Sequence, residues 1–465
     1  MARILFTHGP VEKGTLATIE LFKQLELFGH LPFLFREKLN KKDLNPWLTK
    51  SEYFLKNNDY PDNDLYNELK IKWLPYINAH YNYGHAVGYW GEDKSDGINV
   101  NNKFNEIFFH SYGVVDAIEP DIVLIWGGGL RYGCGILGDI AKNKGIKIYH
   151  TENGLIPWGI MIDEKGHLWN SSTNPLTVKD ISSQINSNDL ENIKKIYEVF
   201  KSSPPLRDKE QSSISNDEKI WFKNNNLRKV LFIGSSEDIY PKFSNDLNNK
   251  ALHLPYFENY QNMIQEILDT DEFCVVYKPH PGVQLPVKIN HPYFLISHSD
   301  PNEWIDLCDL VIANGTHLEL NVLLKEKPLI LPGFGFFINK GCAYEPRSKD
   351  EFFDLLLGKN IQFNKEQKNN LIKYLAWLNS QYYFKMHNSN DPNDLINPRD
   401  VVNDFMCRVG IGPNFKTVIS SKGYIYFRDQ HLSGSNKMIM PLRTKEIIKL
   451  LLDKFFQKLR RLFKK

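Results

Sequence analysis

Short apolar runs that end at a turn residue, several followed by a helix-length stretch, constrain what this chain can fold into. In the first half "RILFTHGP" reads as a buried strand stopped by a Gly-Pro turn, with a helix from about Lys13 to Phe28 and a further strand in "HLPFLFRE". "DIVLIW" (121–126) and "KIYHTE" (147–152) are two more strands with a helix between them, from about Cys134 to Asn143. That is a βαβ unit, which favours a parallel sheet. The pattern lapses over 170–220, where "SSPPLRDKEQSSISNDE" (202–218) has the composition of a linker. It resumes with "KVLFIG", "FCVVYKP", "DLVIANG" and "PLILPG", the last two separated by the amphipathic "THLELNVLLKEK". The expected fold is α/β, with two Rossmann-like domains facing a central cleft: 1–205, a linker 206–225, and 226–440. Residues 40–115, rich in Asn and Tyr, read as helices and long loops.

Composition excludes several classes. The 465 residues exceed what one core holds, and a net charge of +2 gives no global field for nucleic acid. Five widely spaced cysteines with no CxxC pair suggest neither a zinc knuckle nor a disulfide framework. The N-terminal apolar run is too short for a signal peptide, and no apolar stretch is long enough to span a bilayer. The expected location is cytoplasmic. Charge is concentrated at the end, however: "LRTKEIIKLLLDKFFQKLRRLFKK" (442–465) sets Ile448, Leu451, Leu452, Phe455, Leu459 and Leu462 at helical spacing against a basic face. Such a helix suits an anionic membrane surface; packing on the body or on another helix is the alternative.

Four strand tips carry candidate chemistry. "VVYKPHPG" delivers Lys278 and His280 to the carboxyl edge of a parallel sheet, where ligands bind in open α/β folds, and the prolines, Pro281 among them, fix the turn. In "ANGTHLEL", Asn314, Gly315 and Thr316 stand where strand gives way to helix, a place that suits phosphate. "GSSED" sets Ser235 and Ser236 beside Glu237 and Asp238, and a carboxylate at such a tip can serve as nucleophile. "HTENG" ends a first-half strand on Glu152, an acid that can act as a base toward the cleft. Each tip also reads as a plain cap or turn.

Two other patterns compete. Gly133, Gly135 and Gly138 form a literal GxGxxG with Glu152 beyond it, the arrangement of a dinucleotide unit, but "GGGLRY" separates the strand from the first of these glycines. "DND" (62–64) matches the DxD of metal-dependent sugar-nucleotide enzymes without a buried strand before it. No catalytic metal is expected.

The order "TENGLIP", "GSSED", "YKPHPG", "NGTHLE" and "KPLILPG" resembles the capsule-polysaccharide biosynthesis family of bacterial β-Kdo glycosyltransferases, which transfer Kdo from CMP-Kdo on a GT-B-like fold. It departs from that family's pattern at Ser235, at Ile239 and in "GFGFFINKG". The resemblance implies that His280 binds the CMP phosphate and that Asn314 to Glu319, including His317, holds the nucleotide. It places Asp238 at the donor's anomeric carbon and Glu152 near the acceptor. The donor's own carboxylate needs a cation, for which Arg131, Lys278 and Lys340 are candidates. No cofactor is implied. The partners are a nucleotide-sugar donor and a polysaccharide or glycolipid acceptor of capsule or lipopolysaccharide. A sialyltransferase or CDP-glycerol glycerophosphotransferase is the chemical alternative, and a non-catalytic export or scaffold protein the alternative of another class.

Overall fold

The computed structural model describes residues 1–7, 16–35, 62–83, 99–127, 132–166, 170–202, 212–235, 254–280, 287–358, 361–386 and 396–411. Their strands form two sheets. The first runs in the order β11-β5-β4-β3-β1-β2 and the second in the order β10-β9-β6-β7-β8, with β1 (Arg3–Phe6), β2 (Leu31–Leu34), β3 (Ile122–Trp126), β4 (Lys147–Asn153), β5 (Gly159–Asp163), β6 (Arg228–Ile233), β7 (Phe273–Lys278), β8 (Phe294–Ile296), β9 (Leu310–Ala313), β10 (Leu329–Ile330) and β11 (Phe384–Lys385). Pairing is parallel throughout the second sheet and from β2 to β4 in the first, where β5 and β11 join antiparallel. The expected architecture of two Rossmann-like sheets is what the described residues form.

Both sheets are covered on both faces, which is why their strands read as nearly continuous apolar runs. In the first, Leu5, Val123 and Ile125 pack under α2 (Asn63–Tyr83), α3 (Val100–Ile118) and α4 (Tyr132–Asn143), while Ile4, Ile122 and Leu124 face the opposite layer beside α1 (Leu16–Leu27). Between the sheets run α5 (Val178–Ser182), α6 (Ser187–Ser202) and α7 (Asn216–Asn224). In the second, Val230, Phe232, Val275 and Ile312 pack on α8 (Tyr260–Leu268). Leu231, Val276, Val311 and Ala313 face α9 (Pro301–Leu307), α10 (Leu318–Leu324) and α12 (Lys365–Trp377); α11 (Lys349–Leu357) covers the other side.

Three boundaries differ from the sequence expectation. The region 170–220 is not patternless: α6 buries Ile193, Tyr197 and Phe200 at helical spacing against α12. The second half of the expected linker is α7, begun by a Ser215–Glu218 capping box, with Phe222 edge-on to Trp304 at 5.3 Å. The second domain does not run on to 440. After α12 and a π-helical turn, Leu378–Tyr382, the chain returns at Phe384 to pair with β5, and α13 (Pro398–Arg408) buries Val402 and Phe405 in the first domain's core. The basic helix expected at 442–465 lies outside the described residues.

"DND" is a helix start: Asp62 Oδ1 accepts from Leu65 N at 2.8 Å. Four cysteines are buried and Cys407 is exposed, all as free thiols. Among the described residues no helix is long and apolar enough to cross a membrane.

Candidate functional site

In the second sheet the crossovers diverge at β6 and β9, which are neighbours although β7 and β8 intervene in sequence. A crevice for ligands opens at the carboxyl ends of strands at such a switch point. Ile233 of β6 pairs with Ala313 on one side and Lys278 on the other. The tips Gly234-Ser235, Asn314-Gly315 and Pro279-His280 therefore leave the sheet side by side. The sequence proposed these stretches separately; the register brings them together.

Close packing dictates two of the residues there. A Cβ on Gly234 would lie 2.8 Å from the Tyr277 hydroxyl. Gly315 takes the left-handed conformation at φ 63°, and a Cβ on it would lie 3.3 Å from the Phe334 ring and 3.8 Å from Ser235 Oγ. Ser235 and Asn314 are buried beneath this contact, and His280 is half-buried at the end of β7.

The charged residues assigned to the donor behave differently. Lys278 is buried and donates from Nζ to the His298 carbonyl at 3.2 Å, on the β8 side of its strand and away from the β6–β9 crevice. Burial lowers its pKa, with Asp300 and Glu218 acting in the opposite sense. It holds the loop after β8 rather than presenting charge to a phosphate. Glu319 is wholly buried; one oxygen accepts from Thr316 N at 3.0 Å and the other from Phe336 N at 2.8 Å. Burial pushes its carboxyl up to about 8. An N–H group expected to hold a nucleotide at the start of α10 is thus taken by the protein's own side chain, so Glu319 shapes the turn and is not a ligand residue. Lys340, a candidate for the sugar carboxylate, is 1% exposed and ringed by backbone carbonyls. It has no face to offer a substrate. Arg131, Ser236, Asp238 and Pro281 lie outside the described residues.

His317 and Thr316 remain at the mouth. The His317 ring lies against Phe336, centroids 4.7 Å apart, and lines a cleft that is partly open to solvent. Glu152 lines the same cleft from the first domain. This acid is the sixth residue of β4, and its Oε1 accepts from Asn153 N at 2.9 Å. Its height is set by a contact that sequence gave no means to foresee. Gly154 and Gly159 form a slot for the Tyr383 ring, since a Cβ on either would come within 2.6 Å of that ring. The Tyr383 hydroxyl in turn accepts from Leu155 N at 2.8 Å. Tyr383 follows the π-helical turn, a distortion often found at functional sites.

Asp163 at the end of β5 was also missed. Its buried carboxylate accepts from Ser171 Oγ, Ser172 N, Ser172 Oγ, Lys165 N and the Tyr382 hydroxyl at 2.7–3.0 Å. Those bonds hold its pKa below the usual range although burial acts to raise it. They fix the turn 170–174, which carries Ser171, Thr173 and Asn174 into the cleft wall.

The dinucleotide alternative does not fit. Gly133 and Gly135 lie within the first turn of α4 rather than in the turn before it, and Gly138 packs against β3, a Cβ there falling 2.2 Å from Ile125 Cδ1. Among the described residues no cluster of three His, Cys, Asp or Glu side chains is placed to hold a metal ion.

No family model matches the chain, and no curated protein matches it. Among solved structures it is similar to the beta Kdo 2,7 transferase of Thermosulfurimonas dismutans KpsC, at 17% identity and a TM-score of 0.39, over 64% of this chain and 88% of that one. The beta Kdo 2,4 transferase of the same KpsC gives 11% identity and a TM-score of 0.42, over 63% and 88%. The S. aureus MnaA–UDP co-structure gives 11% and 0.34, over 88% and 98%. Likenesses of this depth carry no information about activity.

Proposed function

We propose that this chain is a glycosyltransferase that moves Kdo from CMP-Kdo to a bacterial surface glycan without a catalytic metal. One observation carries the reading: three strand tips stand side by side at the second sheet's switch point, and the adjoining cleft has a carboxylate, Glu152, on its opposite wall. The resemblance in "GSSED", "YKPHPG" and "NGTHLE" supplies the donor.

CMP departs as a phosphate monoester, so its charge must be met by fixed donors rather than by a strong general acid. With Lys278, Glu319 and Lys340 committed inside the protein and Ser235 buried beneath Gly315, that work falls to His280, Ser236, Thr316 and the backbone around Gly315. Arg131 is left as the partner of the sugar carboxylate. In the first displacement Asp238 attacks the anomeric carbon; the new C–O bond forms as the bond to phosphate breaks and CMP leaves with the electron pair. In the second, an acceptor hydroxyl attacks the same carbon, gives its proton to Glu152, and expels the aspartate. Two inversions retain the β configuration. The basic segment 442–465 holds the enzyme at the inner membrane face.

The test is release of CMP from CMP-Kdo, run beside CMP-sialate and CDP-glycerol. Asp238→Ala should lower turnover of CMP-Kdo by about a million-fold, as removing a nucleophile does, and the wild type should yield a Kdo-bearing peptide containing Asp238. An active Asp238→Ala enzyme would end the double-displacement mechanism; turnover of one of the other donors alone would end the Kdo assignment.

A further inference from the structure

Lys340 sits in a loop bent to insert it. Asn339 before it and Gly341 after it both take left-handed backbone, φ 61° and 60°. Asn and Gly are among the residues that adopt this conformation most readily, so the bend that inserts the lysine is written into the loop's own sequence. Its ammonium lies 2.7 Å from the Leu176 carbonyl, 2.9 Å from Thr173 and 2.9 Å from Ile338, with Asn174 at 3.5 Å. An ammonium has three N–H donors, and three short acceptors meet them. The Tyr374 ring closes one side at 5.4 Å.

The charged neighbours do not take over this role. Glu345 accepts instead from Asn339 N at 2.9 Å, Asp180 caps α5 through Thr177, and the Cys342 thiol, its pKa raised by burial, is neutral. No ion pair of Lys340 is formed among the described residues. Burial lowers its pKa to about 8, still above neutrality, so the group is charged at pH 7.

We infer that Lys340 is a tethered cation in a carbonyl cage, a site whose chemistry suits a primary ammonium or an alkali ion, and that it bolts the cleft wall to the second domain. Three of the carbonyls belong to the turn after β5, the one Asp163 grips from its other side; the fourth belongs to the lysine's own loop. The turn is held between an anion on its N–H and hydroxyl groups and a cation on its carbonyls. Asn339 Nδ2 adds a bond to the Asn174 carbonyl at 3.0 Å. The cage exists whatever the cleft binds, so its test needs no substrate.

Lys340→Ala removes three methylenes and the ammonium, the outline of n-propylammonium. The variant should melt at least about 3 °C below the wild type. Propylammonium chloride at millimolar concentration should restore most of that loss. Propanol and tetramethylammonium chloride should not, and the wild type should respond to none of the three. Equal rescue by propanol, or an equal response from the wild type, overturns the cation site in favour of cavity filling. Should the variant fail to fold, the native protein labelled with ¹⁵N-lysine decides: a caged ammonium gives a slowly exchanging Nζ signal that Lys340→Arg removes. A spectrum in which every lysine exchanges at the solvent-exposed rate overturns it as well.

Discussion

The two sheets hold their functional tips in opposite ways. In the second, the tips are fixed by residues of the same domain: Glu319 ties the Thr316 turn to the Phe336 loop, Lys278 ties β7 to the loop after β8, and Tyr277 excludes any side chain at Gly234. In the first, the tip bearing Glu152 is fixed from outside. Tyr383 and Tyr382, arriving after the whole second domain, clamp the Gly154–Gly159 turn and Asp163. A self-supporting crevice at the strand tips can be ready before the domains meet, whereas the acid of the cleft is set only when they have met.

Glu152→Gln is the severest way to probe this division. It should leave CMP-Kdo hydrolysis measurable while transfer to an acceptor falls by about 100–10,000-fold, the range for losing a general base. Equal loss of both would place Glu152 with the donor and break the contrast. Glu319 comes next. Its folded-state pKa of about 8 stands above the ordinary 4.5, so between these values the native state binds the extra proton. Its stabilising contribution is present in acid and lost as pH rises through about 8. Denaturant midpoints at pH 5.5 and pH 8.5 should show a wild-type decline that is flatter in Glu319→Gln by on the order of a few kcal/mol. An identical slope in both proteins would mean that the buried carboxyl is not the group that senses pH. The smallest effect is expected from Gly154→Ala, which forces a methyl against Tyr383 and should cost about 1–3 kcal/mol of stability. Its transfer rate should fall while donor hydrolysis is kept; a loss confined to hydrolysis would reverse the assignment of the two tips.

Much of this was legible because of how the strands are buried. "VLFI", "CVVY" and "LVIA" are covered on both faces and read as unbroken apolar runs. β11 is only two residues long and pairs with a strand more than two hundred residues earlier, so no local pattern announces it. The amphipathic α6 was lost in a polar neighbourhood. At the site, the positions of Glu152 and of the small residues at the strand ends were readable from strand-then-turn punctuation. Lys278, Glu319 and Lys340 were misread for one reason: sequence gives the position of a charge along a strand or helix but not the side to which it turns. Each turns inward to satisfy backbone groups that burial would otherwise leave unpaired. Tyr383 and Asp163 left no motif, because their partners are turns rather than sequence neighbours.

The late return of β11 also sets a schedule for synthesis. When Asp163 leaves the ribosome, β5 has no outer neighbour, and 384 − 163 = 221 further residues must be made before one exists. At about 5–20 residues per second that is roughly ten to forty seconds during which β5 is an open edge. The second domain is translated entirely within this interval and can fold as an insert in an unfinished host. A nascent chain halted near residue 380 would therefore carry the strands of the second sheet's crevice and an incomplete seat for the acid.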